Sequence, residues 1–147
     1  MFIYQEATLP TLHHRLFKWA EESPEDSAQR FQTNSEWKDI TISDYSKNVF
    51  YLAMYLESEG FNSNSVSCIL SYNCPQWVHM DLAPGLIGGK SAGLYPNASF
   101  KDIQYVLNHT ECEFLAIQNK DYYNKATNNN ASELPATIKK IIVFEGD

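Results

Sequence analysis

The glycine-rich stretch at residues 85–91 is the first place where residue types suggest chemistry, since it reads Gly-Leu-Ile-Gly-Gly-Lys-Ser. A phosphate-binding loop requires a glycine, four further residues and then Gly-Lys-Ser or Gly-Lys-Thr, so that backbone amides can surround a phosphate. Pro84 occupies the position of the first glycine. The surrounding pattern also predicts a helix that runs into a strand, which is the reverse of a phosphate loop. The spacing therefore favours a helix end that packs closely on a sheet.

Histidine and cysteine side chains are the next candidates for chemistry. Cys74 precedes His79 on a predicted helix, but no third side chain is placed to orient the imidazole, so a buried core thiol is favoured over a nucleophile. His13 and His14 are adjacent on another predicted helix and point about 100° apart, which disfavours joint binding of one metal. From the residues alone, we predict neither a catalytic group nor a metal site.

The composition limits the classes of protein that need to be considered. Of the 147 residues, 44% are hydrophobic and 20% are charged, which is typical of a globular domain with an apolar core. The net charge of -7 and the scattered basic residues argue against nucleic acid as a partner, because an acidic surface repels phosphates.

Residues 1–6 do not resemble a signal peptide, and no apolar run approaches the roughly 20 residues of a membrane span. Three cysteines without CxxC spacing predict free thiols and a cytoplasmic location.

Residues 8–60 are predicted to form a helix, a hairpin and a second helix. The first helix opens at residues 8–11 and ends before Pro24. Two short strands, residues 28–33 and 37–41, follow it around a turn at residues 34–36. Ser43 is the predicted N-cap of the second helix, which ends at Gly60. The apolar stripes of the two helices are Leu12, Leu16, Trp19 and Ala20, and Tyr45, Val49, Leu52, Ala53 and Leu56.

Residues 64–145 alternate between predicted strands and helices. Helices are predicted from Pro75, where Pro84 kinks or ends the helix, from Ser99, where Asp102 completes a capping box, and over residues 121–126. The predicted strands are residues 66–70, 91–95, 113–118 and 138–144. This alternation predicts an α/β fold with a mainly parallel sheet and crossover helices. We interpret residues 1–147 as a single domain.

Several segments resemble motifs of adenylate-forming, or AMP-binding, enzymes, in the same order along the chain from about Leu9. Residues 73–77, Asn-Cys-Pro-Gln-Trp, resemble Asn-x-Pro-Glu-Trp after a strand. Residues 88–99 resemble Gly-Gly-x-x-x-Gly-Ile-Tyr-Pro-Thr-x-Ser, and residues 105–111 resemble Tyr-Ile-Leu-Asn-His-Ser-Glu. The Tyr-Pro-x-x-Ser version is most similar to long-chain and very-long-chain fatty-acyl-CoA synthetases of the bubblegum type. The resemblance implies part of the N-terminal domain of that fold.

The resemblance also implies a reaction in two steps. A fatty acid and Mg-ATP give an acyl-adenylate, and the thiol of coenzyme A (CoA) then gives the thioester. The family's Ser/Thr/Gly-rich phosphate loop, Thr-Glu motif, Asp-Arg pair and C-terminal lysine are not found in this sequence. We therefore expect a fragment of a long-chain fatty-acid–CoA ligase that is inactive alone and holds no cofactor itself. ATP, Mg²⁺ and CoA are expected only for the complete enzyme. The alternative is a non-catalytic α/β binding or interaction module with the same fold.

The turn that follows the second predicted strand of the sheet carries the only site residues that the resemblance suggests. By resemblance, Leu94, Tyr95, Pro96 and Ser99 lie near the edge of the channel for the acyl chain and CoA. Alternatively, Tyr95 and Pro96 only terminate the strand, as proline does without any ligand. Fatty acid, ATP and CoA are the implied partners of the complete enzyme. Peripheral association with membranes and self-association through an exposed sheet edge are left open.

Overall fold

The computed structural model describes residues 11–145 and divides the chain into two compact units, Met1–Asn48 and Val49–Asp147. The predicted helix opening at residues 8–10 and the assessment of residues 1–6 lie outside the described residues. The interpretation of residues 1–147 as one domain stays a prediction.

The first unit contains the predicted helix and hairpin. Helix α1 spans Leu12–Glu22, and the Thr11 hydroxyl accepts a hydrogen bond from the His14 amide as its N-cap. Strands β1, Ser27–Thr33, and β2, Glu36–Thr41, pair antiparallel around a two-residue turn. Asn34 and Ser35 both have positive φ, as the tightest hairpin turns require. Of the predicted stripe on α1, Leu16 is buried, whereas Leu12 and Trp19 are exposed.

Helix α2 spans Ile42–Ser58 and begins earlier than predicted. Ser43 lies inside the first turn, and the Thr41 hydroxyl takes the capping role by accepting the amide of Asp44 at 3.1 Å. The first amides of α2 are satisfied by backbone carbonyls, since Ile42 donates to Asp26 and Ser43 donates to Pro24. Along the predicted stripe, Val49, Ala53 and Leu56 are buried.

The second unit is built on a parallel four-stranded sheet, as predicted. Its strands are β3, Val66–Leu70; β4, Lys90–Leu94; β5, Phe114–Ile117; and β6, Lys140–Val143. They lie in the order β4-β3-β5-β6, and each neighbouring pair is parallel. The crossover helices are α3, Pro75–Leu86; α4, Phe100–His109; and α5, Lys120–Thr127. A single 3₁₀ turn, Ala131–Glu133, lies in the predicted polar loop.

Local signals set the helix starts in this unit. Ser99 and Asp102 form the predicted capping box of α4. Helix α5 begins before the predicted residue 121, because the Asn119 side chain accepts the amides of Asp121 and Tyr122 as the N-cap. Helix α3 runs past Pro84 to Leu86, so this proline does not end it.

The sheet has a different cover on each face. On one face, α4 and α5 pack on residues of β3, β4 and β5 in a continuous apolar core. On the opposite face, the Trp77 ring of α3 lies against Gly93, and the Ser91 hydroxyl donates to Asp81 at 2.6 Å. Phe61 and Phe114 meet edge to face at 5.1 Å, and both are fully buried. The core of the α4/α5 face comprises Cys68, Leu70, Leu94, Ile103, Leu107, Cys112, Leu115, Ile117 and Ala126.

At the amino edge of the sheet, the Glu113 side chain joins the segments that precede β3 and β6. Its carboxylate accepts Lys139 Nζ at 2.8 Å and the Ser65 hydroxyl at 2.6 Å, and these bonds lower the pKa of Glu113. A lowered folded-state pKa stabilises the fold above the unfolded-state pKa, and this stability is lost as pH falls through the folded-state pKa. Glu113→Gln is expected to cost about 1 kcal/mol of unfolding free energy at neutral pH, with the difference shrinking as the solution becomes acid.

Urea unfolding at a series of pH values measures this difference. Glu57→Gln, at an exposed position of α2, is the matched control and is expected to change little. A cost at Glu113 that stays constant down to strongly acid solution would contradict the role given to its carboxylate.

Candidate functional site

The carboxyl edge of the parallel sheet is where this fold can hold a ligand. The chain leaves β3 toward β4 on one side and then crosses to β5 on the other side, so the switch of direction lies between β3 and β5. Open α/β sheets bind ligands outside the carboxyl ends of their strands at such a point. The residues that follow the strands at this edge are therefore the candidate site.

Gln118 links three strand ends at this edge. Its Oε1 accepts the amide of Tyr72 at 3.2 Å and the hydroxyl of Ser71 at 3.5 Å, both just after β3. Its Nε2 donates to the carboxylate of Glu145, just after β6, at 3.0 Å. Gln118 itself follows β5, so one side chain holds the loops after β3, β5 and β6 together. Sequence reasoning missed this residue, because its partners lie 46 and 27 residues away.

Two tyrosines are strongly exposed at this edge. Tyr72 is 60% exposed, and its ring meets Tyr122 of α5 edge to face at 6.0 Å. Burial and the neighbouring Tyr72 hydroxyl raise the pKa of Tyr122, so its phenol stays protonated at neutral pH. Tyr95, just after β4, is 81% exposed. The edge therefore offers flat aromatic surface to a ligand.

The predicted site residues lie at this same edge. Leu94 is the last residue of β4 and is buried, whereas Tyr95 projects into solvent. The carbonyl of Pro96 accepts the Lys125 ammonium of α5, which ties the turn to that helix. The Ser99 hydroxyl is occupied as the N-cap of α4, where it accepts the Asp102 amide. Their part in an acyl or CoA channel stays a prediction.

Comparison with known proteins decides the family. The sequence model described as AMP-binding enzyme matches residues 16–147. The chain belongs to the AMP-binding enzyme family. The predicted resemblance to adenylate-forming enzymes is therefore confirmed.

Two relatives match this chain over a small part of their own length. It is 32% identical over 74 residues to the long-chain-fatty-acid–CoA ligase heimdall of Drosophila melanogaster, an alignment covering 50% of this chain and 11% of that protein. It is 27% identical over 109 residues to the long-chain-fatty-acid–CoA ligase ACSBG2 of Mus musculus, covering 69% and 16% respectively. The chain therefore spans less than a fifth of these two relatives.

A solved structure supports the fold. The N-terminal domain of FACL13 from Mycobacterium tuberculosis superimposes with a TM-score of 0.79 at 13% identity, over 92% of this chain and 34% of that one. The predicted α/β fold, as part of such an N-terminal domain, is confirmed.

Gly89 and Gly93 allow close packing against aromatic rings. A Cβ atom on Gly89 would stand 2.4 Å from the Phe61 ring, and one on Gly93 would stand 2.9 Å from the Trp77 ring. The hydroxyl of Ser91, the last residue of the phosphate-loop-like stretch, is bound to Asp81. This stretch therefore does not fit the phosphates of ATP. Within residues 11–145, no group of three or more His, Cys, Asp and Glu side chains is arranged to hold a metal ion.

The predicted burial of the thiols holds for two of the three, and His79 is buried as well. Cys68 and Cys112 are buried, Cys74 is half-buried, and all three are unbridged. Burial lowers the pKa of His79, which favours its neutral form. Cys74 lies near Ser71, with 3.7 Å between sulfur and hydroxyl oxygen.

Across the described residues, no helix is both long and apolar enough to cross a membrane.

The role of Gln118 can be tested directly. Gln118→Ala is expected to speed hydrogen exchange of the Tyr72 amide by about tenfold or more, because that amide loses its acceptor. Gln76→Ala, at an exposed position of α3, is the control and is expected to leave the Tyr72 amide unchanged. Unchanged exchange at Tyr72 in Gln118→Ala would show that Gln118 does not hold this loop.

Proposed function

We propose that residues 16–147 form part of an ATP-dependent long-chain fatty-acid–CoA ligase. In this reaction a fatty acid and Mg-ATP give an acyl-adenylate and pyrophosphate, and the CoA thiol then displaces AMP to give the thioester. The observation that carries the proposal is the family match over residues 16–147. Support for the fatty-acid class comes from two relatives that are named long-chain-fatty-acid–CoA ligases.

Within that enzyme, the carboxyl edge would contribute one wall of the channel for the acyl chain and CoA. Tyr95 is the residue best exposed to contact a ligand there. Leu94, Pro96 and Ser99 would act by shaping the turn, because Leu94 is buried and the Pro96 carbonyl and the Ser99 hydroxyl are already hydrogen-bonded. An aromatic and apolar wall suits a fatty acyl chain better than a phosphate.

We further propose that this chain has no ligase activity alone. The phosphate loop and catalytic lysine of the family are not found in the 147 residues, and the Gly85–Ser91 stretch does not fit ATP phosphates.

The proposal includes a cytoplasmic location, with peripheral contact to membranes that hold fatty acid. Three unbridged cysteines support a reducing compartment.

A pyrophosphate-release assay tests the inactivity. The purified chain with palmitate, ATP, Mg²⁺ and CoA is expected to give no pyrophosphate above the blank, while the mouse relative run in parallel serves as the positive control. Release that depends on palmitate and disappears in Tyr95→Ala would overturn this part of the proposal, because the chain would then contain its own catalytic site.

A further inference from the structure

Two thiols, those of Cys68 and Cys112, lie together in the core on the α4/α5 face of the sheet. Cys68 lies in the middle of β3, whereas Cys112 lies between α4 and β5. Both side chains are fully buried, and neither is joined in a disulfide. The proposed ligase reaction uses no thiol of the protein, so it does not explain why two thiols share this place.

Hydrogen bonds place both sulfur atoms beside the pairing of β3 with β5. The sulfur of Cys68 lies 3.4 Å from the hydroxyl oxygen of Thr110 at the end of α4. The Cys112 thiol donates to the Phe114 carbonyl at 3.4 Å, and Phe114 pairs with Ser67, the residue before Cys68. The two thiols also hydrogen-bond to each other. They are therefore neighbours in space, although α3, β4 and α4 lie between them in the chain.

Contact between the two thiols makes them unequal as acids. The hydrogen bond with the Cys68 thiol, together with burial, raises the pKa of Cys112. The hydrogen bond with Cys112 lowers the pKa of Cys68 against the opposing effect of burial, and the Thr110 hydroxyl adds to this lowering. The thiolate is the form of cysteine that attacks an electrophile. Cys68 is therefore the sulfur that reacts first, and Cys112 stands beside it as the second.

The turn between α4 and β5 gives a small oxidant its route to this pair. Thr110, whose hydroxyl contacts the Cys68 sulfur, is itself half-buried and so reaches solvent. Glu111 has a φ of 53°, a left-handed conformation that strains a residue with a side chain. Turns of low local stability open more readily than the core beneath them. Because buried thiols are slow to react, we expect oxidation to proceed at the rate at which this turn opens.

We propose that Cys68 and Cys112 are a modification site, at which hydrogen peroxide converts the two thiols into a reversible disulfide. In the first step the Cys68 sulfur attacks a peroxide oxygen, so that an S–O bond forms, the O–O bond breaks and water leaves with the thiol proton. In the second step the Cys112 sulfur attacks the Cys68 sulfur, so that the S–S bond forms, the S–O bond breaks and a second water leaves with the Cys112 proton. The peroxide is reduced to water, and the pair of thiols is oxidised by two electrons.

The disulfide would close a loop that contains α3, β4 and α4, and with them the turn at residues 94–99. A cross-link that fits the folded geometry stabilises a protein mainly by restricting its unfolded chain. We therefore expect the oxidised chain to unfold at a higher urea concentration, with an unfolding equilibrium constant at least about tenfold smaller. Dithiothreitol is expected to return the chain to its original stability.

Mass spectrometry of the full chain tests the proposal. The reduced chain is treated with hydrogen peroxide in native buffer, and the remaining free thiols are then alkylated with iodoacetamide in guanidinium chloride. The expected product carries a single alkylated cysteine, Cys74, and its peptide map without reduction joins Cys68 to Cys112. Cys74 is an internal control, because its half-buried sulfur lies near the Ser71 hydroxyl just beyond the end of β3.

Serine variants provide a second comparison. Cys68→Ser and Cys112→Ser are each expected to abolish the disulfide, whereas the matched control Cys74→Ser forms it at the rate of the wild type. The wild-type peptide map decides the question even if a buried serine prevents folding.

Four results would overturn the proposal. They are a map that joins Cys74 to either buried thiol, thiols that stay free in native buffer, a link that forms only when urea unfolds the chain, and an oxidised chain that is less stable than the reduced one. None of these results bears on the proposed ligase function, because the disulfide is measured without any substrate.

Discussion

Gly89→Ala is expected to destabilise the parallel-sheet unit by about 3 kcal/mol, the upper part of the range for overpacked cores. The new methyl group would stand 2.4 Å from Cε1 of Phe61 and 3.0 Å from the Asn62 carbonyl oxygen. Phe61 is 1% exposed and held edge to face by Phe114, so its ring has no free space to move into. Urea unfolding of the purified chain measures the loss.

Two companion variants separate this clash from a general effect of replacing glycine. Gly85→Ala lies inside α3 at an exposed position and is expected to stabilise slightly, by roughly 0.5 to 1 kcal/mol, because alanine favours helix. Phe61→Leu in the Gly89→Ala background is expected to restore part of the lost stability, since it removes the ring atoms that clash. Equal stability of Gly89→Ala and the wild type would refute this packing.

Phe114→Ala is expected to cost about 4 kcal/mol of unfolding free energy, from lost burial and the cavity that remains. Phe114 is fully buried, and it lies on β5, which pairs with both β3 and β6. The substitution also removes the aromatic partner of Phe61 at 5.1 Å. The measurement is again urea unfolding, with the midpoint and the slope fitted together.

Phe50→Ala is the matched control, because Phe50 is 47% exposed on α2. This substitution is expected to cost under about 1 kcal/mol of unfolding free energy.

The Phe114→Ala and Gly89→Ala variants both act through Phe61, so the double variant is expected to lose less unfolding free energy than the sum of the two single losses. Strictly additive losses would mean that the two sites do not share this ring.

Local patterns predicted the elements whose determinants lie close together in sequence. The apolar run at Val66–Leu70 marked β3 with its observed bounds. The pair Ser99 and Asp102 marked the start of α4, because both partners of a capping box lie within one turn. The alternation of such elements predicted the parallel sheet.

Distant contacts account for what the sequence did not predict. Ser43 and Thr41 are both suitable N-caps, and the choice depends on the carbonyls of Pro24 and Asp26, which receive the first amides of α2. Gln118 has no local signal, since its partners Tyr72 and Glu145 come close only after the sheet has formed.

The glycine-rich stretch at residues 85–91 was predicted from local spacing only in part, because its packing partners are distant in sequence. Its spacing argued against a phosphate loop and for a helix end that packs closely on the sheet. The close packing is present, but Gly89 packs on the loop between α2 and β3, and a sequence pattern does not name the rings that fill the space. The structure identifies them as Phe61 above Gly89 and Trp77 above Gly93. Motif residues that resemble a binding loop can therefore belong to the scaffold of the site.

The most direct test of the central claim is a chimeric enzyme. Residues 16–147 would replace the matching segment of the mouse long-chain-fatty-acid–CoA ligase, and formation of palmitoyl-CoA would be measured with palmitate, CoA, ATP and Mg²⁺. If this chain is part of such a ligase, the chimera forms palmitoyl-CoA, and the same chimera carrying Gly89→Ala forms much less. A chimera that is folded, as judged by circular dichroism and a cooperative unfolding transition, and yet forms no palmitoyl-CoA would contradict the claim.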